Sequence, residues 1–356
     1  MTLRRSHQLI AVPLLALCLG GCANLGYYAQ AVNGQMDIMR RAQPIAAIAG
    51  DPSTDPSLKQ KLARVVRLRE FASRELGLPD NRSYASYADL ERPYVIWNVV
   101  ATPELSTKPK EWCFIGAGCV KYRGFFSQTE AEAFAQGLRG EGYDTYVGGV
   151  PAYSTLGWLN DPVLNTFIGY PETELARLIF HELAHQVTYV ADDSVFNESF
   201  ATAVELEGVS RWLDGNGTAE QRAAFDAAQQ RKAAFTALVL SARKRLEEAF
   251  DSSASDAEKR VAKAHIFAEL QSEFARLKAT GSGYSRYDRW FAQQLNNAHL
   301  ASVATYTQLV PAFHALLARQ KGDMDKFYAA VKEIGKLPQA QRAARLPSVT
   351  EGLAQR

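Results

Sequence analysis

Long apolar runs are scarce in this chain. Leu9 to Leu19 is the one concentrated stretch, and it is too short to span a bilayer. No later segment predicts a transmembrane helix. A charge excess is also missing. The chain has 40 Lys and Arg against 38 Asp and Glu, and Arg4 and Arg5 account for the difference. Without them 38 bases face 38 acids, and no basic stripe stands out. That excludes the electrostatic footprint of a nucleic-acid-binding protein, so no nucleic acid is expected as a partner. No long Ser/Gly/Pro linker and no internal repeat divides the chain. Cysteine is rare, with four in 356 residues.

The first residues read as an export signal. Arg4 and Arg5 supply the positive end, Leu9 to Leu19 the apolar core, and Leu19-Gly20-Gly21-Cys22 resembles a bacterial lipobox. That resemblance implies cleavage before Cys22 and acylation of that residue. Several acyl chains on one residue make a stable membrane anchor. Ala23 next to the cysteine resembles the outer-membrane sorting pattern, so the expected location is the bacterial periplasm, lipid-anchored. A plain cleaved signal is the alternative. The remaining 335 or so residues fit one large domain or two tightly joined ones. In an oxidising compartment Cys113 and Cys119, with five residues between them, read as a disulfide closing a short loop. Two free buried thiols are the bland alternative.

Helical periodicity predicts helices over Tyr27 to Arg41 and Pro56 to Leu76, the second with Leu58, Leu62, Val65, Leu68 and Phe71 on one face. Tyr94 to Ala101, Val120 to Phe126 and Tyr143 to Gly149 read as strands. Ser127 is a candidate cap for a helix running to about Arg139. After Glu205 the chain is strongly helical, and the tail from Gln339 is expected to fray. The expected fold class is α+β, predominantly helical, with a small sheet beside a helix over Glu172 to Val187. The expected divisions are 1–21 (signal), 22–90 (helical scaffold), 91–215 (core with the small sheet) and 216–356 (C-terminal helices). One compact unit over 22–356 is the alternative.

The chemistry concentrates in Phe180-His181-Glu182-Leu183-Ala184-His185-Gln186 and Phe196-Asn197-Glu198-Ser199-Phe200-Ala201-Thr202. His181 and His185 sit four apart, which stacks both imidazoles on one face of a helix. Two nitrogens so arranged can share one zinc ion. Glu182 projects about 100° away, within reach of a water beside the metal, as a general base must be. Glu198, thirteen positions after His185, is the candidate third ligand, with Asn197 as the expected cap of its helix. Thr202 and Glu205 follow one and two turns on, where they could orient a ligating His.

His-Glu-x-x-His followed by Asn-Glu-x-Phe-Ala resembles the gluzincin metallopeptidases. The second half is similar to the membrane alanyl aminopeptidase branch, in which the Glu is a zinc ligand. More closely, the mature chain resembles the zinc aminopeptidase family of proteobacterial lipoproteins. The gluzincin likeness covers about thirty-five residues. The gap before Glu198 is shorter than in most gluzincins. The Gly-Ala-Met-Glu-Asn segment that holds a substrate's free amino group in those aminopeptidases has no counterpart.

These residues imply a zinc-dependent peptidase with one Zn2+ on His181, His185 and Glu198 and with Glu182 as proton carrier. The resemblance favours an aminopeptidase on periplasmic peptides. An envelope endopeptidase and a non-catalytic zinc-binding lipoprotein are the alternatives. Other candidates are weaker. Ala152, Tyr153 and Ser154, after Pro151, could form an edge strand that pairs with substrate backbone. Asn296 and Asn297 could bind a peptide or merely cap helices. Tyr284, His299 and Tyr306 could donate to an oxyanion. Glu205, Glu174 and Asp161 are the acids that could hold a free amine. Oligomeric state is not legible.

Overall fold

The computed structural model describes residues 26–114, 118–304 and 309–347. The expected signal segment, residues 1–21, with Cys22 and Tyr306, lies outside the described residues. The described residues are predominantly helical, with three small sheets among them.

Helix Pro56–Leu76 has the bounds that its periodicity predicts. Asp55 caps it by accepting from Leu58 N at 3.0 Å, and Gly77, at φ 61°, ends it in the left-handed conformation. Its buried stripe of Leu62, Val65, Leu68, Ala72 and Leu76 joins the main core. Each such leucine contributes about 1.5–3 kcal/mol on burial. Phe71 meets the rings of Phe180 at 5.9 Å and Trp212 at 5.1 Å, so this helix braces both of the helices that carry the motif.

Those two helices are Glu172–Val187 and Ser194–Asn216, and they pack along one another. Their close approach requires Gly208. A Cβ there would sit 2.6 Å from the Phe180 ring and 2.7 Å from Leu76. The main core draws on residues from Ile38 to Leu346, and therefore on all three of the expected mature divisions.

The largest sheet has Ile96–Pro103 at its centre, antiparallel to Arg123–Phe125 on one side and to Tyr143–Val150 on the other. Val99 faces Val147, and Trp97 lies between Phe125 and Gly149. Its chief packing partners are helix Gln128–Gly140, capped by Ser127, and helix Asn297–Ala304. The single strand expected over Val120 to Phe126 is broken. Gly118–Val120 pairs with Trp112–Phe114 in a hairpin closed by the Cys113–Cys119 disulfide, and Arg123–Phe125 joins the main sheet. Tyr122 falls in the break.

A third sheet joins Gln43–Pro44, Ser86–Ala88 and Val163–Leu164, with Tyr87 parallel to Val163. It ties residues 84–88 to residues 161–164, just ahead of the His-bearing helix. Ala219–Asp251 and Asp256–Ala279 form a long helical hairpin around Phe235, Val239, Leu246, Ile266 and Leu270. The tail expected to fray instead forms helix Gln339–Arg345. Arg342 bonds Asp193 at 2.9 Å, and Leu346 is buried in the core.

Candidate metal centre

Helix Glu172–Val187 begins behind Pro171, with Glu172 and Glu174 at its positive end. Its apolar side, Leu175, Leu178, Ile179 and Leu183, is buried. The motif side faces the second helix. The cap of that helix is not Asn197. Asp193 caps it, accepting from Phe196 N at 3.1 Å, and Arg342 holds the cap in turn. Asn197 lies inside the first turn with its amide buried. It accepts from Val190 N at 2.8 Å and donates to Val190 O at 2.7 Å. These bonds fix the turn between the two helices and so set where Glu198 meets the histidines. The disulfide hairpin leans on the same turn, with Cys119 N donating to Asp192 at 2.5 Å.

His181 Nε2 lies 3.2 Å from His185 Nε2 and 3.2 Å from Glu198 Oε2, and His185 Nε2 lies 3.8 Å from the same oxygen. Zinc ligands at about 2.0–2.1 Å in a tetrahedron lie roughly 3.3 Å apart. The two nitrogens and one oxygen therefore have the identity and the spacing of three corners of a zinc tetrahedron. They are one group that could hold a metal ion.

The surroundings suit a cation. His181 Nδ1 meets Glu205 Oε2 at 2.9 Å, and Arg177 holds both Glu205 oxygens at 3.0 and 3.2 Å. A carboxylate behind a ligating His fixes its tautomer and orientation. Thr202 is buried one turn after Glu198.

Burial opposes the charge on His181, but bonds to Glu198 and Glu205 outweigh it and raise the ring to about 10. Burial, helped by the neighbouring His181 charge, outweighs Glu198 and lowers His185 to about 4. Burial would raise Glu205, yet Arg177 and His181 hold it down to about 2. Glu198 is likewise lowered against its burial, by both histidines. Glu182 is buried, no cation among the described residues bonds it, and burial pushes it up to about 7. A carboxyl near neutral pKa can take up and return a proton at physiological pH.

The structure uses the weaker candidates differently. Asn297 is fully buried and donates to the carbonyls of Glu104 and Ser106, which anchors a loop. Asn296 donates to Thr145 O and accepts from Ala298 N. His299 is buried between Tyr146, at 4.5 Å, and Trp290, and burial lowers it to about 4. Tyr284 sits in the 3-10 turn Tyr284–Tyr287, and among the described residues no hydrogen bond or ring contact links it to the metal group. Ala152 to Ser154 do not form an edge strand of the main sheet, whose edges are Arg123–Phe125 and Tyr143–Val150. Pro151 O is taken by Thr166 Oγ1 at 2.6 Å, and the chain leaves the sheet there. Tyr153 bonds Gln35 and meets Phe126 at 6.0 Å, while Ser154 caps a turn by accepting from Leu156 N.

Two tyrosines arrive that local pattern did not reveal. Tyr122 is raised by burial and by the charges of Glu198 and Glu182, so it lies within electrostatic reach of both. Tyr84 is raised by burial and by Glu182 and Asp161. Only the break after Val120 and the Tyr84 N to Asp161 O bond at 2.6 Å explain how each gets there.

No curated protein and no solved structure matches the chain. A family model described as "Putative aminopeptidase" matches residues 26–346. That match spans the scaffold helices, the metal group and the C-terminal helices together, and the chain belongs to this putative aminopeptidase family.

Proposed function

We propose that the chain is a zinc-dependent aminopeptidase acting on peptides in the bacterial periplasm, held at the outer membrane by lipid on Cys22. The observation that carries the reading is the convergence of His181 Nε2, His185 Nε2 and Glu198 Oε2 beside a buried Glu182. Family membership supports the peptidase class. The lipobox-like Leu19-Gly20-Gly21-Cys22 supports the location.

When bound, zinc supplies a Lewis acid for the scissile carbonyl and lowers the pKa of a coordinated water from 15.7 to near 7. The chain's own residues supply the rest. His181, His185 and Glu198 would hold the ion, and Glu205 orients His181. Glu182 takes a proton from the attacking water and returns it to the leaving amine. Its burial supports this role, because a desolvated carboxyl is a better base than one in water. Tyr122 feels the charges of both carboxylates, and a hydroxyl within that reach can stabilise negative charge developing on the carbonyl oxygen.

The test is Glu182→Gln. The variant keeps stoichiometric zinc and loses turnover of a free-amine peptide by at least about 100-fold, the scale of a lost general base. Full activity in that variant would reject the mechanism. The missing Gly-Ala-Met-Glu-Asn segment favours an endopeptidase as the second reading. Equal cleavage of a peptide and its N-acetylated form would establish that reading over the first. Zinc-replete protein that cleaves nothing in a diverse peptide library would establish a non-catalytic role.

A further inference from the structure

An aminopeptidase has to hold a free ammonium group, and two of the three candidate acids are already committed. Glu205 is bonded by Arg177 and His181, with Lys232 at 3.8 Å, and Glu174 is bonded by Arg177 at 3.1 Å. Asp161 is different. It is 5% exposed and accepts from Thr155 N at 2.9 Å, and among the described residues no cationic side chain pairs with it. Burial pushes its carboxyl up, and a buried carboxylate keeps its charge at low cost only when a cation comes to it.

A second, independent oddity lies beside it. Tyr84 is 2% exposed, and its hydroxyl has no hydrogen-bond partner. Its backbone is left-handed at φ 64°, which a bulky side chain rarely adopts. Its N–H donates to Asp161 O at 2.6 Å, so the two residues are locked together. Strain of this kind persists where surrounding structure enforces it, often at ligand sites.

Both segments are fastened to the metal-bearing helix through Gln186, the residue after His185. Gln186 accepts from Asn81 at 2.6 Å, donates to Ser83 Oγ at 3.2 Å, and lies against Gly157 of the loop that leads to Asp161. Glu182 lies one helical turn before Gln186 on the same helix face, which turns it towards the same two segments, and the charges of Glu182 and Asp161 are felt at Tyr84.

We propose that Asp161 and the Tyr84 hydroxyl form the subsite that takes the α-ammonium of a peptide beside Glu182. One N–H of the ammonium donates to the Asp161 carboxylate and another to the Tyr84 hydroxyl oxygen. The missing cation and the missing hydrogen-bond partner are then supplied by the same group. The subsite deepens the aminopeptidase reading and rests on it for its biological meaning, but it makes its own claim about binding.

The experiment is calorimetry on the zinc-loaded protein with L-leucinamide and N-acetyl-L-leucinamide as probes. Wild type binds the free amine and discriminates against the acetylated form. Asp161→Asn keeps the acceptor for Thr155 N and loses the charge. It weakens leucinamide binding by about 10–100-fold, the scale of a hydrogen bond to a charged group, with zinc content unchanged. Tyr84→Phe keeps the ring and weakens binding several-fold. Wild type that binds both probes equally, or neither, overturns the proposal, as does unchanged leucinamide affinity in folded Asp161→Asn. Because the readout is binding, a protein that holds leucinamide through Asp161 yet cleaves no peptide would reject the peptidase reading and keep the subsite.

Discussion

Two pairs of helices dominate the molecule, and they use burial in opposite ways. Glu172–Val187 and Ser194–Asn216 bury Glu182, His185, Asn197, Ser199, Thr202 and Glu205 among their apolar neighbours. Ala219–Asp251 and Asp256–Ala279 bury Phe235, Val239, Leu246, Ile266 and Leu270, and set Arg245, Glu269 and Glu273 in ion pairs partly open to solvent. The second pair follows local rules closely. Thr218 with Gln221 and Ser255 with Glu258 form capping boxes at both helix starts. The first pair breaks those rules and compensates through tertiary bonds. Nearly every polar group it buries has a named partner: Glu205 with His181, Asn197 with Val190, Ser199 with Leu309 N. Among the described residues the exceptions are His185 Nδ1, which has no hydrogen-bond partner, and Glu182, which pairs with no cation, and both lie at the metal group. A buried polar group left over after such an accounting is where chemistry is to be sought.

Glu205→Gln would break this contrast most severely. The change leaves Arg177 without its buried anion and should cost about 3–5 kcal/mol of stability. It should also weaken zinc binding about 10–100-fold by loosening His181. The effect has a pH signature in chelated protein. Glu205 is held near 2, below its ordinary 4.5, so its contribution is complete above about 4.5 and is lost as pH falls through about 2. Urea unfolding curves of wild type and variant should differ at pH 6 and converge towards pH 2. A constant difference across that range would refute the assignment. Leu270→Ala probes the other pair. It should cost about 2–5 kcal/mol by opening a cavity, with zinc affinity and peptide turnover unchanged.

Much of the first pair was legible because its signals are local. The four-residue spacing of His181 and His185, the acids behind Pro171 and the later Glu198 all act within a turn or two of helix. So does the pattern that bounds Pro56–Leu76. What stayed hidden depends on distant chain. Asn197 reads as a cap because Asn often caps, but Asp193 takes that role once Arg342, 149 residues away, fixes it. Asn297 reads as a possible ligand contact and proves to be a buried anchor for residues 104–106. Tyr84 and Tyr122 carry no motif. Each reaches the site through a register between strands, and that information lies in pairing rather than in periodicity. The tail from Gln339 reads as a fraying terminus because it is rich in Ala and Arg. Its few contacts, Arg342 to the cap and Leu346 in the core, are long-range.

The smallest effect expected is at the rim of the helical hairpin. Arg245 bridges Glu269 at 2.8 Å and Glu273 at 3.0 Å, and in projection this looks as substantial as Arg177 between Glu174 and Glu205. The difference is solvent. The side chains of Glu269 and Glu273 are 41% and 27% exposed, whereas that of Glu205 is 1% exposed. Water already solvates the hairpin's carboxylates, so losing the arginine strands no charge in an apolar setting. Arg245→Ala should therefore cost no more than about 1 kcal/mol in urea unfolding, and raising the salt concentration should shrink even that. A loss as large as that of Glu205→Gln would mean that the two triads are equivalent, and that burial is not what separates the pair of helices with the metal group from the helical hairpin.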